Sequence, residues 1–211
     1  MTEEKLAIFD EDYNRLGERT RTEVHALGYW HETFHCWMAH YNESRSRIYI
    51  YFQLRSESKK DYPGLLDITA AGHILSQESM EDGVREIHEE LGVDIPYDQL
   101  IFAGIMKEEL NGAGIVDREL ANVYLYTKPI SFDNFRLQTE ELSGIFRTTL
   151  DEADQLFHHA ADEISLEGFV VDDNQGLIDK KWKATIQDFV AHPISYFQKV
   201  INRIKDELLE K

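Results

Sequence analysis

The chain of 211 residues has one cysteine and only 22 Lys and Arg against 40 Asp and Glu. A single thiol, Cys36, excludes an intramolecular disulfide and a cysteine-rich zinc site. A formal charge of -18 argues against a nucleic-acid polymer or an anionic membrane as partner, because phosphate backbones are bound chiefly by Lys and Arg. No apolar run approaches the roughly 20 residues that cross a bilayer. The start, MTEEKLAIFDEDYNRLGERT, is too charged for a signal peptide, so a cytoplasmic protein is expected. Internal repeats and low-complexity tracts are also missing. In so acidic a chain, phosphate has to be met by a few well-placed cations or by metal, which makes each Arg and Lys near a motif informative.

What is present describes an ordinary globular chain, with 42% hydrophobic and 29% charged residues, long enough to bury a core as one domain. FHCWMAHY (34–41) and RIYIYFQLRS (47–56) are rich in aromatic and β-branched residues and flank the turn-like NESRS. They are expected to pair as antiparallel strands. DYPGLLDITAAG (61–72) reads as a Pro-Gly turn and a short apolar strand; IFAGIMKEE (101–109), ANVYLYTKPI (121–130) and LSGIFRTTL (142–150) read as further strands. From Asp151 the pattern turns helical, opening with LDEADQLFHHAADEI. In the last segment Ile186, Phe189, Val190, Ile194, Phe197, Val200, Ile201 and Ile204 keep helical spacing, with Pro193 starting a new helix after a break. The expected fold is an α+β or α/β sandwich. One domain is expected over 1–211, with a core at about 23–150 and a helical C-terminal appendage at about 151–211. The apolar stripe of that appendage is expected to pack on the chain's own core, with a homodimer as a secondary use.

REIHEELGV (85–93) crowds Glu86, Glu89 and Glu90 together in a chain that is already acidic. Met80, Val84, Ile87 and Leu91 recur at steps of 4, 3 and 4, one face of a helix begun by a capping box of Ser79 with Asp82 and stopped at Gly92. At about 100° per residue, Glu86 and Glu90 lie one above the other with Glu89 beside them, opposite the apolar stripe. Like charges at this spacing cost a helix a few tenths of a kcal/mol. A hard cation turns the repulsion into coordination, Mg²⁺ typically taking one or two carboxylates, waters and substrate phosphate oxygens. Helix geometry by itself leaves a solvated acidic face as the alternative.

The longer string AGHILSQESMEDGVREIHEELGV resembles the signature of the Nudix hydrolases: Gly, five residues, Glu, seven residues, then Arg-Glu-apolar-x-Glu-Glu-x-Gly-apolar. Gly72 and Glu78 match the opening pair, and Arg85, Glu86, Ile87, Glu89, Glu90, Gly92 and Val93 match the closing run. Six residues rather than seven separate Glu78 from Arg85, a departure that touches the role of Glu78 more than that of the glutamate triad. The resemblance implies a mixed sheet between helices, with the motif on a loop–helix–loop. It also implies Mg²⁺-assisted hydrolysis (Mn²⁺ as an alternative ion) of a diphosphate linked to another group. Glu86, Glu89 and Glu90 would be the metal-binding and catalytic residues, one of them or a later glutamate activating water. Arg85 would orient them by ion pairing, and Gly72 and Gly92 would be structural. The ion would polarise phosphoryl oxygen and activate water.

Upstream, the stretch from EVHALGYW to TAAGH is similar to isopentenyl-diphosphate isomerases, which share that fold; with the motif, the likeness spans roughly residues 23–120. It implies a further metal site drawing on His25, His31 and His73 with Asp117 and Glu119, and diphosphate-binding cations at Arg55 and Lys59. Those isomerases need a cysteine where this chain has Ala71, Cys36 lies in an expected strand, and the His25–His31 spacing is one residue short. His25 and His31 are therefore expected as fold-stabilising hydrogen-bond partners. Lys60 is expected to be an ordinary loop cation, Glu119 a candidate further ligand or base, and Glu140 or Glu141 the late glutamate. The expected function is a Mg²⁺-dependent pyrophosphohydrolase whose partner is a small-molecule diphosphate, a nucleoside diphosphate derivative or another organic diphosphate. The alternatives are an isomerase of isoprenoid diphosphates, which Ala71 opposes, and an idle nucleotide-sensing domain, which has little need of an intact glutamate triad.

Overall fold

In the computed structural model, which describes residues 3–112, 115–172 and 175–209, the chain opens on a hairpin that the expected core boundary at about 23 leaves out. The ends of the expected 1–211 span lie outside the described residues. β1 (Lys5–Phe9) pairs with β2 (Arg15–Thr20), α1 (Arg21–Leu27) follows, and Ile8 and Phe9 lie opposite His31 and Trp30 of β3 (Trp30–Asn42). Leu6 to Phe9 are all buried, but four apolar residues in a row are too few to announce a period.

β3 runs on into β4 (Arg47–Arg55) across the expected turn, with Ala39 opposite Ile50 and Asn42 opposite Arg47. Side chains alternate across a strand, and both faces of this pair are buried. Trp37, Ile48, Ile50, Phe52 and Leu54 enter one core; Phe34, Cys36, Met38, Tyr49 and Tyr51 enter the other. The apolar strand expected before residue 72 is two short pieces, β5 (Leu66–Asp67) on β4 and β6 (Ala70–His73) on β3. α2 (Val84–Leu91) covers the second core with Ile87 and Leu91. β7 (Ile101–Gly112) and β8 (Ile115–Tyr126) form a hairpin, and β8 lies parallel to β3, which makes the sheet mixed. β9 (Leu142–Thr149) pairs with β4 and leads into α3 (Leu150–Phe157).

Beyond α3 the expected helical appendage needs correction. β10 (Glu163–Val171) and β11 (Leu177–Thr185) pair antiparallel, and β10 extends the sheet beside β9, with Glu167 opposite Arg147. The physical reason lies in EISLEGFVV, which buries Ile164 and Leu166 while Glu163 and Ser165 stay exposed. That is the period of a strand, and β9 offers it a row of backbone partners. The helix opened by Leu150 stops at Phe157, and His159 takes a left-handed φ of 55°. Only α4 (Ile194–Leu209), starting after Pro193, keeps the expected helix. It buries Tyr196, Phe197, Val200, Ile201 and Ile204 against the chain's own sheet, and the Phe197 ring stacks on Phe157 at 3.9 Å. The sheet thus lies between α2 on one face and α3 and α4 on the other, the α+β sandwich expected. Among the described residues no helix is long and apolar enough to cross a membrane.

Candidate active site

The motif helix is fixed at both ends. The Ser79 backbone N–H and hydroxyl each donate to Asp82 Oδ2 at 2.8 Å. Gly92 ends the helix with a φ of 65°, its N–H donating to His88 O at 2.8 Å; this left-handed conformation favours glycine. α2 lies across β6 so closely that a Cβ on Gly72 would sit 2.1 Å from Glu86 Cδ. Glycine at 72 is what allows the carboxylate to lie over the strand. The Ala71 N–H donates to Glu90 Oε2 at 3.2 Å. Helical geometry sets Glu89 opposite the apolar stripe and Glu90 on its flank, and the glutamate face is not a solvated one. Glu86 and Glu90 turn into a cavity of about 570 Å³, Glu90 is buried, and the Glu89 side chain alone of the three is half-exposed.

Arg85 ties this face together. Its Nε and Nη2 donate to the two oxygens of Glu78 at 2.7 and 3.0 Å, and Nη1 donates to Glu86 at 2.6 Å and Glu89 at 3.3 Å. Nη2 also reaches His73 O at 3.0 Å. Glu78, on the shortened loop, still meets the guanidinium with both oxygens. Burial pushes Glu86 up to about 7 despite Arg85. Burial also holds Glu90 well above the carboxylate range, and the charge of Glu86 adds to the effect. Arg85 offsets only part of the charge of the pair, and a cation between the two carboxylates would supply the rest.

On another wall, His25 from α1, His31 from β3 and His73 from the end of β6 meet with ring centroids 5.1 to 5.2 Å apart. Asp117 Oδ1 lies 3.6 Å from His25 Nε2 and 3.5 Å from His31 Nε2. These three Nε2 atoms and Asp117 Oδ1 are buried without a hydrogen-bond partner. The expectation that His25 and His31 serve as hydrogen-bond partners holds for His31, whose Nδ1–H donates to Tyr29 O at 3.1 Å, and is corrected for the inward nitrogens of both rings, which are bare. Burial lowers His25, takes His31 down to about 4 and holds His73 well below its ordinary value, so the rings are neutral and keep their lone pairs. Burial raises Asp117 to about 8 and Glu119 to about 7. His31, Asp117 and Glu119 form a second grouping within the same reach. Unpaired lone pairs aimed at one point fit a metal ion, and imidazole with carboxylate suits divalent first-row transition metals.

The cations Arg55 and Lys59 also line the cavity and are already engaged. Arg55 donates to Asp67 Oδ2 at 3.0 Å and to Asp61 O at 2.8 and 3.1 Å, while Lys59 pairs with Glu141. Lys60, expected to be a plain loop cation, also lines the cavity. Of the two late glutamates, Glu141 lines it and Glu140 is exposed. Val190 and His192 line it too. Sequence reasoning singled out no role here for His192, which lay in a segment read as helix with no motif around it. Ala71 is in the wall, whereas Cys36 is wholly buried beneath α2, where burial drives its thiol far up. Among the described residues no thiol reaches the cavity.

Over 207 residues the chain is 37% identical to an uncharacterized Nudix hydrolase of Clostridium acetobutylicum, covering 98% of this chain and 100% of that one. The chain belongs to the Nudix hydrolase family. Nudix hydrolase 3 of Arabidopsis thaliana is 34% identical over 151 residues, covering 69% of this Nudix hydrolase but 19% of that longer protein. An isopentenyl-diphosphate Delta-isomerase of Salmonella arizonae is 30% identical over 126 residues, 59% of this chain and 66% of that one. Among solved structures, DR0079 from Deinococcus radiodurans matches 74% of this chain and 88% of its own, with a TM-score of 0.51 at 20% identity, a likeness of fold. No protein-family model matches the chain.

The buried acids give this Nudix hydrolase an expected response to pH. Glu86 and Glu119 are raised to about 7 and Asp117 to about 8, from ordinary values of 4.5, 4.5 and 3.8. The unfolded chain releases these protons first, so the stability they contribute is full below the ordinary values and is lost as pH rises through the folded ones. His31, lowered to about 4 from 6.5, acts the other way, losing stability as pH falls below its ordinary value. Between roughly pH 6.5 and 8 the acids act together with His192, raised to about 10 from 6.5, all with the same sign, and the Tm of the metal-free protein should fall. Mn²⁺ should raise Tm more at pH 8 than at pH 6.5. Thermal melts in chelator and in added metal check this; a metal-free Tm that is flat or rising over that window would refute it.

Proposed function

We propose that this Nudix hydrolase is a divalent-cation-dependent pyrophosphohydrolase, with Mg²⁺ as its ion and Mn²⁺ as an alternative. Its substrate in this reading is a nucleoside diphosphate derivative or another organic diphosphate. The observation that carries the proposal is the pair of half-buried Glu86 and buried Glu90, facing a cavity that Arg55 and Lys59 also line.

Glu86, Glu89 and Glu90 would hold the cation, with Glu119 as a further ligand. When bound, such an ion polarises phosphoryl oxygens and lowers the pKa of water. Arg85 keeps Glu86 and Glu89 in place and is too engaged to meet substrate. Arg55 and Lys59 bind the diphosphate, and Lys59 exchanges its contact with Glu141 for one with phosphate. Glu141, released beside the reacting centre, is then placed to take the proton of the attacking water. The new bond joins the water oxygen to phosphorus, the anhydride P–O bond breaks, and the second phosphate leaves with its electron pair. His25, His31, His73 and Asp117 fit a transition-metal ion, as the likeness to the isomerases implies.

That histidine centre favours a second reading, an isomerase of isoprenoid diphosphates, which Ala71 opposes because no thiol is at hand to move a proton on carbon. A screen decides between them. Phosphate release is measured across nucleoside di- and triphosphates, nucleotide sugars, dinucleotides and thiamine diphosphate, with Mg²⁺ and with Mn²⁺. Interconversion of isopentenyl and dimethylallyl diphosphate is followed in parallel. Hydrolysis of at least one diphosphate is expected; isomerisation at enzymatic rates would overturn the proposal.

A further inference from the structure

His192 stands two residues before α4, is 7% exposed, and has a carboxylate on each ring nitrogen. Nδ1 lies 2.6 Å from Glu108 Oε2 on β7, and Nε2 lies 2.9 Å from Asp67 Oδ1 on β5. Two acceptors require two N–H donors, so the ring is an imidazolium. Burial would lower its pKa, but the two carboxylates overcome burial and raise it to about 10. The other oxygen of Asp67 accepts from Arg55 at 3.0 Å. Glu108, His192, Asp67 and Arg55 therefore form a row of alternating charge that ends in the cavity, two anions against two cations.

We propose that His192 is a positioning residue for substrate binding: it shares the charge of Asp67, and so leaves the Arg55 guanidinium oriented and electrically free to meet a diphosphate. Without the imidazolium, Arg55 would be the nearest counter-ion left to a buried Asp67 and would have little positive charge to offer a second anion. His192 does not act on substrate itself, because both of its N–H groups are already donated. Its own placement is fixed from α4, where the Tyr196 ring stacks on it at 5.3 Å. The Tyr196 hydroxyl accepts from Trp37 Nε1 at 2.9 Å and meets His35 Nδ1 at 2.8 Å. The C-terminal segment is in this way part of the binding machinery. The inference rests on the reading of the cavity as a diphosphate site.

The test is calorimetric binding of imidodiphosphate to the Mg²⁺-loaded full chain, in a cycle of unaltered protein, His192→Gln, Asp67→Asn and the double variant. His192→Gln should weaken binding about tenfold by leaving Asp67 uncompensated. In the Asp67→Asn background the same change should cost less than about twofold, because position 67 then carries no charge for Arg55 to neutralise. With a hydrolysed substrate the loss should fall on KM, with kcat nearly unchanged. A purely structural His192 predicts equal losses in both backgrounds; that result, or no loss in either, overturns the proposal. If His192→Gln alone fails to fold, the same cycle in a Glu108→Gln background decides it, since removing the imidazolium there leaves no unpaired carboxylate at position 108. Failure of the unaltered protein to bind imidodiphosphate would sink the diphosphate site itself. Binding by the unaltered protein with His192→Gln unchanged would sink the positioning role alone.

Discussion

Glu90→Gln is expected to lower hydrolysis by roughly 10²- to 10³-fold, the scale on which removal of a single preorganised electrostatic group acts, while metal-free Tm holds or rises. The rise follows from the burial that keeps the Glu90 carboxyl well above its ordinary pKa. A neutral amide of the same shape removes a group that is costly to ionise there, and its oxygen can still accept the Ala71 N–H. Loss of activity should be accompanied by loss of the Tm gain on adding Mg²⁺ or Mn²⁺, which separates a ligand role from a change elsewhere. Undiminished turnover in the folded variant would remove the metal reading of the motif.

Truncation after Leu150 is expected to leave no folded protein. The removed segment carries α4, with Tyr196, Phe197, Val200, Ile201 and Ile204 buried in the core of Trp37 and Phe52. Losing even one large aromatic side chain from a core costs about 3–5 kcal/mol, against a total stability of about 5–15 kcal/mol for a typical domain. Deletion also bares β9, whose backbone β10 otherwise pairs. Soluble fraction and far-UV circular dichroism measure the outcome. A soluble, monomeric, active 1–150 fragment would show that the C-terminal residues are a separate module and would break the one-domain reading.

The parts legible in the sequence are those whose pattern is local. The motif helix was readable because Met80, Val84, Ile87 and Leu91 share a face, with Ser79 and Gly92 as its punctuation. β3 and β4 were readable from aromatic and β-branched density around one turn. β10 carries a strand period in EISLEGFVV that a helical reading of the segment misses, whereas β11 was not readable, because LIDKKWKAT is exposed along most of its length and keeps no apolar period. Its strand state comes from a neighbour and not from itself. The site divides in the same way. Helical spacing places three glutamates on a face but cannot say that a cavity wall covers it. The bare nitrogens of His25, His31 and His73 come from three separate elements, and the contacts of His192 span 84 and 125 positions of sequence.

β11 forms the outer margin of the sheet beyond β10, and a free strand margin invites a second copy to add on. Here Lys180, Lys181 and Lys183 stand exposed along it. Two such margins brought together would set ammonium groups against one another, a repulsion that opposes pairing. A molecule whose total charge is strongly negative thus guards this border with a short positive fence, so that growth of the sheet from one molecule into the next is discouraged along β11.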